Sequence, residues 1–354
     1  MTMDERFQNS DMWLDRSGPE EHVVVSSRAR YARNFPRVPF PMRARPEELQ
    51  GVIERVTEAI GRNPAFAGGL CFNLTQIKPV ERNYLKENHL ISAEMEKAAE
   101  HRAIHLSADV KLAVMVNEED HLRMYALEAG FQPCEALNSV VTLESEMNRE
   151  LGFAFSPKYG FLTACPTNTG TGLRASVMLH LPALVMTKRM GEIVKSLPQF
   201  GLTVRGFYGE NSENMGDFFQ VSNEVTLGKS EAEIVQALSK VAEQVIEREE
   251  HARRQLFEQN RSYVDDEIWR AFGTLTNARL MTSSEAVQLL SKLRLGIDRG
   301  YLGGLRHAQL NKLIVEIQPG HLQYGEGASA GTVERDELRA GLLRKRLEKA
   351  AENN

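Results

Sequence analysis

Between residues 21 and 227 short apolar runs alternate with amphipathic stretches. Val23-Val24-Val25, Leu112-Ala113-Val114-Met115-Val116, Val140-Val141-Thr142-Leu143 and Phe161-Leu162-Thr163-Ala164 are brief and rich in β-formers, which predicts strands. Leu49, Val52, Ile53, Val56, Ala59 and Ile60 recur at helical spacing between Pro46 and Gly61, which predicts an amphipathic helix packed on a sheet. The mixture is α+β. After Leu227 the strand signals stop: Ser230 with Glu233 makes a capping box, and Ile234, Leu238, Val241 and Val245 follow on one face of a long helix. Thr282 with Glu285 opens another helix, and helical stretches continue to a Pro319-Gly320 break and a charged tail. Three segments result: a short N-terminal stretch (1–20), an α+β domain (21–252) and an all-helical C-terminal domain (253–354). No Gly/Ser-rich or Pro-rich linker separates the last two, so they are expected to pack together.

A chain of 354 residues agrees with two domains at ~100–200 residues each. With 42% hydrophobic and 26% charged residues the composition is that of a soluble globular protein. The 43 basic and 48 acidic residues leave a charge of −5, and Glu348 interrupts the basic run Arg344-Lys345-Arg346, so direct nucleic-acid binding is not expected. The start Met1-Thr2-Met3-Asp4 has no apolar leader, and no apolar run approaches the ~18 residues of a membrane span, which predicts a cytoplasmic protein. Cys71, Cys134 and Cys165 stand far apart, so neither a disulfide framework nor a protein-held metal site is expected.

The familiar nucleotide signatures, GxxxxGK[ST], HRD with DFG, and GxGxxG after a strand, are all missing. Arginines beside β-type runs take their place. Arg28 and Arg30 alternate, so on extended backbone both point to one face, and two planar guanidinium forks side by side suit a polyphosphate. A surface pair on an edge strand is the plainer alternative. In Asn117-Glu118-Glu119-Asp120-His121-Leu122-Arg123 three acids in a row end an apolar strand. They cannot all be buried without raised pKa values, so at least one is expected to serve a cation. Cys165-Pro166-Thr167-Asn168-Thr169-Gly170-Thr171-Gly172-Leu173-Arg174 sets a thiol in a turn near an arginine, a setting that can lower a thiol pKa. The run Arg205-Gly206-Phe207-Tyr208-Gly209-Glu210 begins a loop suited to closing over a site and delivering a carboxylate.

Taken together, Ser26-Ser27-Arg28-Ala29-Arg30, the 117–123 run, the Cys-Pro-Thr-Asn turn, the 205–210 run, Gln220-Val221-Ser222-Asn223 and Thr226-Leu227-Gly228 resemble the phosphagen (guanidino) kinases, in the family's order. The resemblance implies a glutamine synthetase-like catalytic domain, an antiparallel sheet flanked by helices, with ATP and Mg²⁺ as cofactors and the metal bound through the nucleotide. It carries the nucleotide site onto Ser26, Ser27, Arg28, Ala29, Arg30, His89, Arg123, the 174–178 stretch (Arg174, Ala175, Ser176, Val177, Met178) and the 205–210 stretch (Arg205, Gly206, Phe207, Tyr208, Gly209, Glu210). His89 would contact adenine. Glu119 and Glu210 would be the substrate carboxylates and Cys165 the reactive thiol. The chemistry agrees, because a guanidinium with pKa above ~12 is a poor nucleophile until it is fixed and loses a proton.

Two departures narrow the resemblance. Creatine and arginine kinases carry a helical domain ahead of this region, where only residues 1–20 stand here, and Met178 replaces their usual His. An open acceptor site implies a guanidinium presented on a protein. In addition, Arg335-Asp336-Glu337-Leu338-Arg339-Ala340 looks like the RDxxRA phosphoarginine pocket of McsB-type protein arginine kinases, although as bare sequence it also reads as ion pairs on a solvated helix. The narrower resemblance implies a homodimer that phosphorylates exposed arginines of protein substrates, a zinc-binding McsA-type activator, a CtsR-type heat-shock repressor as target, delivery to a Clp ATPase and protease, and tuning by phosphoarginine. A kinase for free arginine or another small guanidino compound is the alternative, and a non-catalytic phosphoarginine adaptor is a further one.

Overall fold

In a computed structural model of the protein, Phe7 and residues 13–206, 216–326 and 330–352 are described. The strands are β1 (Val24–Arg33), β2 (Leu70–Asn73), β3 (Ala103–Leu106), β4 (Leu112–Val116), β5 (Leu122–Ala129), β6 (Phe155–Ser156), β7 (Gly160–Phe161), β8 (Leu173–His180), β9 (Leu202–Arg205) and β10 (Phe218–Asn223). The principal helices are α1 (Pro46–Arg62), α2 (Pro79–Glu87), α3 (Pro133–Leu151), α4 (Glu231–Gln259), α5 (Arg261–Asn277), α6 (Ser283–Ile297), α7 (His307–Glu316), α8 (Pro319–Glu326) and α9 (Thr332–Glu352).

Eight strands form one antiparallel sheet in the order β2-β3-β4-β5-β1-β8-β10-β9, and β6 with β7 makes a separate hairpin. Successive side chains of a strand alternate between faces, so the sheet sorts its residues into two sets. Ala29, Tyr31, Val114, Met124, Ala126, Ala175, Val177 and Val221 share one core with Val52 and Val56 of α1, Val140 and Leu143 of α3 and Leu238 and Val245 of α4. On the opposite face Phe72, Ile104, Met115, Tyr125, Leu127 and Met178 join a second core that includes Leu290 and Leu293 of α6, Leu310 and Ile314 of α7 and Leu343 of α9. The C-terminal helices therefore share a core with the sheet.

The strand over residues 112–116, the helix after Pro46 and the helix capped by Ser230 form as expected, the last with the Ser230 hydroxyl accepting the Glu233 N–H. Two expected strands do not. Residues 140–143 lie inside α3, where Ala136, Val140, Leu143, Met147 and Leu151 make a buried helical stripe between Pro133 and Gly152. A four-residue window shows an apolar run there, and only the longer period reveals the helix. Of the 161–164 run only Phe161 is in a strand. Residues 252 and 253 both lie in α4, and Arg253 is buried there between Glu249 at 2.8 Å and Asp298 at 2.6 Å.

Candidate active site

The face opposite α1, α3 and α4 carries charge at its centre. Arg30 stands opposite Arg174 of β8, Arg28 opposite Ser176, and Ala32, on the same face as both, opposite Arg123 of β5. Arg205 of β9 faces Gln220 of β10, which in turn faces Met178. Directly opposed residues of antiparallel strands share a face, so five arginines from four strands form one row. Ser26, Ser176, Met178 and Gln220 line it, with Gln220 Nε2 donating to Ser176 Oγ at 3.1 Å. Ser27, Ala29, Ala175 and Val177 belong to the nucleotide set by sequence but turn to the other face. Ser27 Oγ donates to Gly130 O at 2.9 Å, and the remaining three are core. Their positions carry the alternation that aims their neighbours.

Electrostatics show what the row lacks. Burial lowers the Arg28 pKa, and burial with the charges of Arg28, Arg123 and Arg174 pushes Arg30 well below its usual value, while Glu118 opposes both shifts. Such mutual repulsion persists only where something else over-determines the geometry or an anion arrives. Among the described residues the buried Nε atoms of Arg28 and Arg30 have no hydrogen-bond partner. The Arg28 guanidinium lies 3.9 Å above the Tyr125 ring, whose hydroxyl donates to Leu90 O at 2.8 Å and is pushed up to about 12 by burial. Next to Leu90 comes His89, partly buried at φ 60°, its pKa pushed down to about 4 by desolvation and then by the Arg28 charge. A neutral imidazole thus stands near Arg28.

The acidic turn divides its labour. Asn117, at φ 58°, donates its side-chain amide to Leu49 O and His101 O at 2.9 Å each and fixes the turn. Glu118 is buried and pairs with Arg123 at 2.6 Å. Asp120 is fully buried, accepting from Asn34 Nδ2 at 2.6 Å and Ala164 N at 2.7 Å, with its pKa raised by desolvation. Two of the three acids are therefore buried, one of them with a raised pKa, in keeping with the expectation that the three are not all buried alike. Only Glu119 stays partly exposed, 3.4 Å from Arg123 at the end of the arginine row. The Asp120 bond to Ala164 also ties the residue before Cys165 to the residue after Glu119. Cys165 Sγ lies 3.0 Å from the Thr167 hydroxyl. Gly206 is buried at the end of β9, whereas Phe207, Tyr208, Gly209 and Glu210 lie outside the described residues.

Sequence reasoning missed Asn34 and gave Asn223 and Thr226 no role beyond their place in the quoted runs, yet these side chains hold the pieces together. Asn34 bonds Asp120 and Leu162 O and accepts from His121 N, Asn223 spans Ala175 N and Leu173 O, and Thr226 Oγ1 reaches Thr167 O and Thr169 O at 2.8 Å. Asn34 gave no signal beyond being an isolated polar residue after an apolar run, whereas Asn223 and Thr226 lie in runs that carry the family resemblance.

In the C-terminal motif Arg339 is buried. It donates to Ile317 O at 2.8 Å, Met281 O at 2.7 Å and Asp336 Oδ1 at 2.5 Å, and burial lowers its pKa. Ala340 is core, Glu337 is exposed, and Leu338 is half-buried. Arg335 is half-buried with Thr332 Oγ1 at 3.3 Å. One motif arginine thus faces inward and the other outward.

The comparisons with known proteins agree with this geometry. A model of the ATP:guanido phosphotransferase C-terminal catalytic domain matches residues 51–252, and one of the protein-arginine kinase McsB C-terminal domain matches residues 261–354. The duplicated taurocyamine kinase from Schistosoma mansoni with bound transition state analog components superposes with a TM-score of 0.61 at 26% identity, over 67% of this chain and 35% of that one. Lombricine kinase shares the fold, with a TM-score of 0.59 at 24% identity over 70% and 75% of the two chains. The chain belongs to the ATP:guanido phosphotransferases, and within them to the protein-arginine kinase family. Relatives with that name are 41% identical in Pelotomaculum thermopropionicum, covering 98% of each chain, and 43% identical in Halalkalibacterium halodurans, covering 97% of this chain and 96% of that one. A third, from Bacillus subtilis, is 41% identical over 95% and 93%. The protein is accordingly an ATP-dependent arginine phosphotransferase.

Proposed function

We propose that the protein transfers the γ-phosphoryl group of ATP to arginine side chains of other proteins. The observation that carries this reading is the row of Arg28, Arg30, Arg123 and Arg174 on one sheet face with Glu119 at its end. The buried Nε atoms of Arg28 and Arg30, without a hydrogen-bond partner among the described residues, fit a polyphosphate, and Arg205 extends the row to β9. Mg²⁺, arriving on the nucleotide, would add charge neutralisation at the phosphates. Glu119, with Glu210, orients the acceptor guanidinium. A guanidinium nitrogen bonds to the γ-phosphorus, the bond to the β,γ-bridging oxygen breaks to leave ADP, and the displaced proton passes to a carboxylate. Cys165, in the turn that Asp120 ties down, helps to hold the acceptor cation, and His89 serves the adenine end. The names of the full-length relatives support a protein acceptor over free arginine.

The same reading extends to a cytoplasmic homodimer whose marks direct proteins to a Clp ATPase and regulate a CtsR-type repressor, with a McsA-type activator and with phosphoarginine bound at Arg335, Asp336 and Arg339 as a tuning ligand. Among the described residues no helix is long and apolar enough to cross a membrane. Glu119→Gln keeps the shape of the site and removes the charge. It should bind ATP normally and transfer nothing, as read by mass spectrometry of an arginine-rich protein under conditions that preserve the P–N bond. Normal phosphorylation by that variant removes Glu119 from the mechanism, and acid-labile phosphate on free arginine alone would favour the small-molecule alternative.

A further inference from the structure

Large apolar side chains crowd one side of the candidate acceptor end. Phe155 is 59% exposed, Tyr159 47% and Leu162 36%, all on or next to the β6–β7 hairpin, and Leu227 is 54% exposed. They are neighbours in space. A Cβ on Gly160 would lie 2.5 Å from Gly170 O, and one on Gly170 would lie 2.9 Å from the Cα of Leu227, so three backbones meet there in contact that only glycine allows. Phe155 keeps its place by an edge-on contact with Phe161 at 5.2 Å, and Phe161 is in turn covered by the Arg33 guanidinium at 3.5 Å. The rim is therefore built on fixed elements. Exposed apolar groups clustered in this way mark interaction surfaces more often than scattered ones do.

Its position argues for the occupant. Leu162 O accepts from Asn34 Nδ2, and the same amide donates to Asp120, the neighbour of Glu119. Three residues after Leu162 comes Cys165. A peptide whose arginine reaches Glu119 continues on both sides at roughly 3.3 Å per residue, so within a few residues it crosses this rim. We propose that Phe155, Tyr159, Leu162 and Leu227 dock the polypeptide flanking the acceptor arginine, and that the enzyme thereby selects arginines with large apolar residues a few positions away. The inference rests on the reading of the Glu119 end as the acceptor site.

Two short peptides test it, one with a single arginine between glycines and serines, the other with leucine and phenylalanine placed two to four residues to either side. With the wild-type chain, KM for the apolar-flanked peptide should be about tenfold lower at similar kcat, the effect of burying one large side chain in part. Leu227→Ser and Tyr159→Ser, both at exposed positions, should abolish that preference while kcat and the KM for the glycine-serine peptide stay unchanged. Equal KM values with the wild-type chain, or a preference that survives both substitutions, overturn the proposal. Survival of the preference together with a change of dimer to monomer in sedimentation overturns it too and assigns the rim to a second copy of the chain. Transfer to neither peptide by the wild-type chain would instead overturn the acceptor reading beneath it.

Discussion

Arg30→Met separates the two demands placed on the arginine row. Arg30 has Arg174 directly opposite, Arg28 two residues along its strand and Arg123 on the next strand, with Glu118 as a counter-charge. At an effective dielectric of about 20 and a separation of about 7 Å, each like-charged neighbour costs roughly 2 kcal/mol before salt screening. Glu118 offsets part of this, and Met retains most of the apolar stem that Arg30 buries. The variant without nucleotide should therefore be more stable than the wild type by about 1–4 kcal/mol, the range seen when buried charge yields to apolar packing. Nucleotide should act in the opposite sense. ATP–Mg²⁺ at a hundred times its Kd stabilises the wild type by about 2.7 kcal/mol, and most of that should vanish in the variant. Thermal denaturation with and without ATP–Mg²⁺ reads both effects in one experiment. A lower Tm without nucleotide, or an undiminished shift on adding it, would refute the argument that this row is held strained for an anion.

Other consequences follow from the same contacts. Asp120→Asn keeps an acceptor for Ala164 N but loses a carboxylate, and urea denaturation should show a loss of about 1–2 kcal/mol. Burial raises the Asp120 pKa, so the native state holds that proton more tightly than the unfolded chain. The wild type then gains stability as pH falls towards the ordinary carboxylate value and loses it as pH rises through the raised one. The deficit of the untitratable variant should consequently be larger near pH 4 than at pH 7, and a deficit independent of pH would contradict the shift. Arg339→Ala strands the Ile317 and Met281 carbonyls and Asp336 and should cost about 3–5 kcal/mol, with faster hydrogen exchange in α7 and α9. Arg335→Ala should change stability by less than about 0.5 kcal/mol yet abolish any response of activity to added phosphoarginine, which titration of that ligand would check. A response that persists moves the pocket elsewhere.

Legibility varied with the range of the interaction that decided each feature. Capping at Ser230, the amphipathic stripe after Pro46 and the common direction of Arg28 and Arg30 depend on residues within a turn or a pleat, and they were readable from spacing alone. The run at 140–143 misled because its period shows only over the whole of α3. Glu118, Glu119 and Asp120 are equivalent in sequence. Their fates diverge because Arg123 reaches Glu118 across the turn, while Asn34 and Ala164 reach Asp120 from 86 and 44 positions away.

The amino-acid order thus determined local conformation, the α+β character and the inventory of cations and carboxylates, since each follows from short-range sterics and from side-chain type. Which carboxylate stays in water, which face of β1 gathers arginines from three other strands, and which of Arg335 and Arg339 turns inward were decided only by the tertiary structure. Those outcomes depend on desolvation, and desolvation is set by whatever distant segment packs against a group, here the sheet register and the docking of α7 and α9.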